Sequence, residues 1–213
     1  KLFYNHYRLR TKSISNYWEK SLELIENQND FESFNINNWQ SFTNQYFNEF
    51  ENKPSLSKFL HSFYDYYSLK TYQKSKPWGD KTPLNTYYLD EIQLIFPGAH
   101  FIGMIRDGVD VVHSYMSAGL IKDPKLAALR WKKSTEAILR DSEKFHLVKY
   151  EDLVLRKEIV LADVIRFLGL NPKIPSLNDA FNNLGDVDRH SHHLNVLSPV
   201  SADSIGKGWR GLN

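Results

Sequence analysis

The chain contains no cysteine. That excludes disulfides and Cys-ligated zinc, and it fits a reducing compartment, so a cytoplasmic location is the expectation. Long hydrophobic runs are also missing. Nothing approaches the ~20 apolar residues that span a bilayer, and no signal peptide is visible, so no membrane partner is expected. Charge of one sign is not in excess either: 27 Lys and Arg stand against 25 Asp and Glu, a net +2. A nucleic-acid or other polyanion-binding surface is therefore not expected, although a small anion needs only a local basic cluster. Glycine is absent from residues 1–78, where Pro54 and Pro77 are the only prolines. A loop that wraps backbone amides around a phosphate needs glycine. No Gly-x-x-x-x-Gly-Lys-Ser/Thr occurs anywhere in the chain. The first residue is lysine rather than methionine, so a preceding segment is expected. At 213 residues, one sizeable domain is the simplest reading.

What fills the glycine-free region is aromatic. The spacing predicts a helix over 15–26 with Trp18, Leu22 and Ile25 on one face. A second over 38–52 carries Trp39, Phe42, Tyr46, Phe47 and Phe50, and a third over 56–72 follows the Lys53-Pro54-Ser55 break. Such a stripe reads first as a helical core. The alternative is a wall over a substrate pocket, because Tyr and Trp offer both apolar area and a polar tip. After Trp78-Gly79-Asp80-Lys81, Thr82 as N-cap and Pro83 at the first helical position predict a helix to about residue 96. Leu89, Ile92, Leu94, Ile95 and Phe96 would be its apolar face.

The stretch 99–119 organises the remainder. Residues 100–105 form a short apolar run that reads as a buried parallel strand, and Val109, Val112, Tyr115 and Met116 then recur at helical steps. Asp107 suits the N-cap between them, and Asp110 places a second carboxylate where the helix dipole favours it. Arg106 thus leaves a strand end where helix amides open outward, a common place for anions in α/β folds, though also a common place for a solvated arginine. Asp123-Pro124 opens a helix to about 141 with Leu126, Leu129, Trp131 and Ile138 inside. A strand over 145–150, a turn at Glu151-Asp152-Leu153 and a helix over 158–168, closed by Gly169 and Pro172, follow. Residues 171–200 read as loop with one helix over 176–184. His190, His192 and His193 there lack a paired carboxylate or i, i+4 spacing, so no metal site is expected. Ser204 to Arg210, with two glycines among basic residues, suits a flexible flap over an anion, or a plain tail.

Several of these segments, in this order, resemble the sulfotransferases that use 3′-phosphoadenosine-5′-phosphosulfate (PAPS), of the bacterial and heparan type. The resemblance rests on Asp80-Lys81-Thr82-Pro83, on Arg106-Asp107-Gly108 with Ser114 eight positions after Arg106, on Tyr150-Glu151-Asp152-Leu153, and on Gly206-Lys207-Gly208-Trp209-Arg210. It covers roughly 78–212. The family's opening strand and Ser-Gly-Thr-Thr-like loop, which grips the 5′-phosphosulfate, have no counterpart here and would precede residue 1. The resemblance implies a P-loop-like three-layer α/β/α fold with a central parallel sheet and a helical aromatic-rich insert. The single domain, 1–213, would comprise a helical substrate side, 1–77, and a donor-binding α/β core, 78–213. It implies sulfuryl transfer from PAPS to an acceptor hydroxyl on a carbohydrate or small molecule, releasing the 3′,5′-bisphosphate PAP, without a metal. Arg106, Ser114 and Lys207 would hold the 3′-phosphate, with Gly206, Gly208 and Arg210 closing over it, and Tyr150 would lie near the adenine. Gly208 displaces Trp209 by one position from the family pattern.

The resemblance also makes Asp80 the base and lets Lys81 stabilise developing charge. A carboxylate is far weaker than an alkoxide, so Asp80 would act only as bond formation acidifies the hydroxyl, and burial would help by raising its pKa. Two other readings stand beside this one. A nucleotide kinase of related fold would need magnesium and a Walker-type loop. A non-catalytic relative would use the aromatic helices to bind a protein partner.

Overall fold

A computed structural model describes residues 17–27, 41, 42, 44, 55–75, 77–171 and 201–211. The chain divides into two units, Lys1–Lys81 and Thr82–Asn213. In the first, helix α1 (Tyr17–Glu26) buries Ile25. Helix α2 (Leu56–Tyr72) begins at an N-cap, Ser55, whose side chain accepts from the Lys58 amide, as the break at Pro54 predicts. Phe59, Leu60, Phe63 and Tyr66 recur at helical steps and are buried. Phe42, 1% exposed, sits among them, with ring centroids 6.2, 6.1 and 5.2 Å from Phe59, Phe63 and Tyr66. At Phe42, then, the aromatic stripe is core. Ser41, Phe42 and Asn44 are helical, whereas Trp39, Tyr46, Phe47 and Phe50 lie outside the described residues. With no glycine available, α2 closes on Gln73 in the left-handed region (φ 57°), its amide donating to the Leu69 carbonyl.

In the second unit the helix predicted over 83–96 is broken. A 3₁₀ turn, Pro83–Tyr87, is followed at Tyr88 by α3 (Leu89–Ile95). Thr82 makes no side-chain cap bond there. The physical reason is tertiary: the Thr86 hydroxyl donates to Ser134 Oγ (3.3 Å), which holds the 3₁₀ turn against a neighbouring helix. Leu94 is 80% exposed and so does not belong to an inward face.

Strands β1 (Phe101–Ile105) and β2 (Phe145–Lys149) pair in parallel, with Gly103 opposite Leu147. They are connected through α4 (Gly108–Ser117) and α5 (Pro124–Arg140). Tyr150, predicted to end β2, instead opens α6 (Tyr150–Leu155), so the expected turn at 151–153 is helical. Helix α7 (Lys157–Phe167) then ends at Gly169 (φ 64°) as predicted. A side chain added at Gly103 would meet Ile138 of α5 at 2.7 Å, while His146, one step along β2 from Phe145, stacks on Phe167 of α7 at 4.9 Å. Successive strand residues face opposite ways, so helices cover both faces of the sheet. The result is an α/β unit.

Its inward stripe on α5 is Ala127, Trp131, Ser134 and Ile138 rather than the leucines: Leu126 and Leu129 are exposed. Met116 of α4 and Met104 of β1 are exposed as well, so β1 is covered less completely than its apolar sequence suggests. Asp123 caps α5 through the Lys125 amide (2.8 Å). The segment 201–211 is not a free flap but a 3₁₀ turn, Ala202–Ser204, leading into a short helix, α8 (Lys207–Arg210), packed on α4. The 176–184 helix and His190, His192 and His193 fall outside the described residues. Among the described residues, no helix is long and apolar enough to cross a membrane.

Candidate functional site

Where two parallel strands end side by side and helices start, backbone groups and charges converge. At the end of β1, Asp107 caps α4 by accepting from the Asp110 amide (3.0 Å), and the Asp107 amide donates to Glu151 Oε1 (3.0 Å) at the end of β2. The two strand ends are thereby tied together. Trp131 donates its indole N–H to the Arg106 carbonyl (3.0 Å) and lies flat under Gly108, where an added Cβ would stand 3.0 Å from its ring. These contacts fix the Arg106 backbone from both sides.

Its side chain is held too. The guanidinium lies over the Tyr150 ring at 4.4 Å from the centroid, and Nη2 donates to the Ser204 carbonyl (2.7 Å). Asp110 Oδ2 lies 3.9 Å from Nη2. Arg106 Nε is buried and meets no acceptor among the described residues. A guanidinium has five N–H donors, and a buried one without an acceptor costs free energy until something supplies a lone pair. An anionic oxygen is the ligand that fits this group.

Asp110 is the residue whose role the sequence hides. It is 1% exposed, and it accepts from the Gly206 and Gly208 amides at 2.7 Å each. Burial alone would raise its pKa. The two amide bonds, then the charges of Arg106 and Arg210, outweigh burial and hold the carboxyl below the usual range. Gly206 sits at φ 72°, and Gly208 is pressed so close to α4 that an added Cβ would stand 2.5 Å from the Val109 carbonyl oxygen. Only glycine fits both demands. The segment 201–211, a strap over the start of α4, is further tied by Arg210 Nη2 donating to the Asp203 carbonyl (3.0 Å).

Of the residues singled out by sequence, Arg106, Tyr150, Gly206, Gly208 and Arg210 therefore belong to one connected cluster. Lys207 and Arg210 are exposed on α8, and Ser114 is exposed on α4 one turn beyond Asp110. The amides of Gly206 and Gly208, expected to face an anion, are engaged by Asp110 instead. The spacing of Asp110 from Asp107 suggested only a helix-dipole role, because its partners lie 96 and 98 residues away. The available signal was the Gly-x-Gly pair itself.

Asp80 and Lys81 close the first unit, and both are exposed, so the burial that would aid Asp80 as a base is not present. In that unit Trp78 stacks on Tyr64 (4.3 Å, 14°) and donates to His61 Nδ1 (3.1 Å), which pins the segment leading to Asp80 onto α2. Burial, and then the negative charge of Asp80, push Tyr64 up to about 12. Among the described residues, no group of three or more His, Asp or Glu is arranged to hold a metal.

No solved structure matches the chain. Protein-tyrosine sulfotransferase 1 of Danio rerio is 29% identical over 147 residues, which is 62% of this chain and 41% of the relative. The chain thus spans about two fifths of that relative's length. The model of the sulfotransferase family matches residues 3–173, well over half of the chain. That match takes in the aromatic helical region, which the motif resemblance over 78–212 left out, and it ends before the strap. The chain belongs to the sulfotransferase family.

Proposed function

We propose that this protein transfers a sulfuryl group from PAPS to an acceptor hydroxyl, with the Arg106 cluster as the seat of the donor's 3′-phosphate. The observation that carries the reading is the buried, unmet Arg106 Nε beside Tyr150 at the ends of two parallel strands. Arg106 would offer the phosphate a planar pair of N–H groups, Ser114 a hydroxyl, and Lys207 and Arg210 positive charge from the strap. Tyr150 would border the adenine, its ring oriented by the guanidinium that lies over it.

When bound, PAPS supplies an activated sulfuryl group: its sulfur–oxygen bond to the 5′-phosphate breaks as the bond to the acceptor oxygen forms, leaving PAP. Asp80 takes the acceptor's proton late in that step, and Lys81 lends charge to the oxygens on which it develops. Positioning carries most of the rate, as in phosphoryl transfer. The acceptor is an alcohol or phenol hydroxyl, on a carbohydrate or small molecule. The zebrafish relative's name adds a tyrosyl hydroxyl to those classes.

The test is calorimetric titration with PAP against 5′-AMP, on the chain and on Arg106→Ala. The reading expects a clear preference for PAP that is lost in the variant while the circular dichroism spectrum is unchanged. Equal affinity for the two nucleotides, or undiminished PAP binding by Arg106→Ala, would overturn it.

A further inference from the structure

Asp110 presents a paradox for an anion site: a buried carboxylate stands 3.9 Å from the arginine meant to bind a phosphate. Its two oxygens, however, are each taken up by a strap amide at 2.7 Å. The same strap supplies the Ser204 carbonyl to Arg106 and carries Lys207 and Arg210. Resting on the 3′-phosphate reading, we propose that Asp110 is a positioning residue for the donor, latching the 201–211 strap onto α4 so that its cations and Arg106 stand assembled before the anion arrives. Preorganisation of this kind raises affinity by removing the ordering cost from the binding step.

The latch and simple electrostatics act in opposite directions. Asp110→Asn removes a negative charge, and by charge alone PAP and 5′-AMP should both bind more tightly. An asparagine, though, keeps one acceptor oxygen and turns an NH₂ donor toward the second strap amide, so one anchor is lost. The latch therefore expects PAP affinity to fall at least about 10-fold, the weight of one lost hydrogen bond to a charged group. Affinity for 5′-AMP should stay level or rise slightly. A fall in both would indicate general damage and count against the latch.

Amide hydrogen exchange on the ligand-free wild-type chain reads the latch directly. The charged and titratable groups around Asp110 are Arg106 and Arg210, with Asp107 at its amide, His113 one turn on against Gly211, and Lys207 on the strap. Because the carboxyl is held below its ordinary value, protection of the Gly206 and Gly208 amides should persist above about pH 4 and collapse as pH falls below it. Protection that ignores pH would overturn the proposal. Should Asp110→Asn not fold, Gly208→Ala pushes the strap off α4 at the Val109 carbonyl with the carboxylate in place, and the same selective loss of PAP affinity is expected. If the wild-type chain fails to prefer PAP, the 3′-phosphate reading falls and this role with it. If it prefers PAP and Asp110→Asn keeps that preference in full, only the latch falls.

Discussion

Replacing Arg106 with lysine would keep a positive charge and remove the flat group that lies over Tyr150 and reaches Ser204. A lysine ammonium is a point charge with no fork to match a phosphate. Arg106→Lys should therefore lower PAP affinity at least ~10-fold, about the weight of one charge-assisted hydrogen bond, while leaving 5′-AMP little changed. Titration of both nucleotides checks this, and equal losses for the two would tell against a 3′-phosphate contact. In the first unit the testable residue is Tyr64. Its folded-state pKa is raised to about 12 from the ordinary value near 10, so its contribution to stability is complete below about pH 10 and is lost as pH climbs toward 12. Urea midpoints measured across that window should fall more steeply for the wild-type chain than for Tyr64→Phe; parallel curves would sink the assignment. Residue by residue, the site was legible where the chemistry is local or patterned. Arg106 at a strand end and Tyr150 at the next could be found from sequence. Asp110 could not, since a carboxylate in a first turn looks the same whether it serves the helix dipole or two distant amides.

Elements in the second unit stand on particular joints, and these can be weakened one at a time. Asp107→Ala removes the cap of α4, a loss of about 1 kcal/mol in urea denaturation. Gly103 lies in β1 where an added methyl would meet Ile138 at 2.7 Å and Phe145 and Leu147 at 3.1 Å, so Gly103→Ala should cost about 1–3 kcal/mol through overpacking. Gly79→Ala, with nothing within 4 Å, is the matched control and should be nearly neutral. If Gly103→Ala were also neutral, the packing of α5 on the sheet would be looser than these distances say. The elements that could be read from sequence share a feature: their boundaries are chemical. Ser55 and Asp123 cap helices, Gly169 ends one, and the apolar pair of strands lies between such signals. Where packing decides, sequence misleads. Leu126 and Leu129 are the more hydrophobic residues of α5, yet Ala127 is the one fully buried, because it shares the inward face with Trp131 and Ile138 while the leucines point away from it. The 83–96 segment broke for a related reason: a hydroxyl bond from Thr86 to Ser134 is a tertiary contact, and no local propensity announces it.

For the molecule as a whole, charge decides how the proposed anionic donor would be gathered. A net charge of +2 over 213 residues gives little long-range attraction. On the proposed reading, capture would rest on the local set of Arg106, Lys207 and Arg210, beside the buried carboxylate of Asp110. At physiological ionic strength the screening length is about 8 Å, so only groups within roughly that distance of a bound phosphate contribute. Two consequences can be measured. The chain should be weakly retained on a polyanion column, because no extended basic face is expected from its composition. PAP affinity should nevertheless fall several-fold between about 0.05 and 0.5 M salt, and the fall should be shallower in Lys207→Ala, where one exposed cation of the strap is gone. Binding of 5′-AMP, which lacks the 3′-phosphate, should show the shallower slope already in the wild-type chain. If the two nucleotides respond to salt identically, the strap's cations are not addressed to the 3′-phosphate, and the charge that gathers the donor lies elsewhere in the chain.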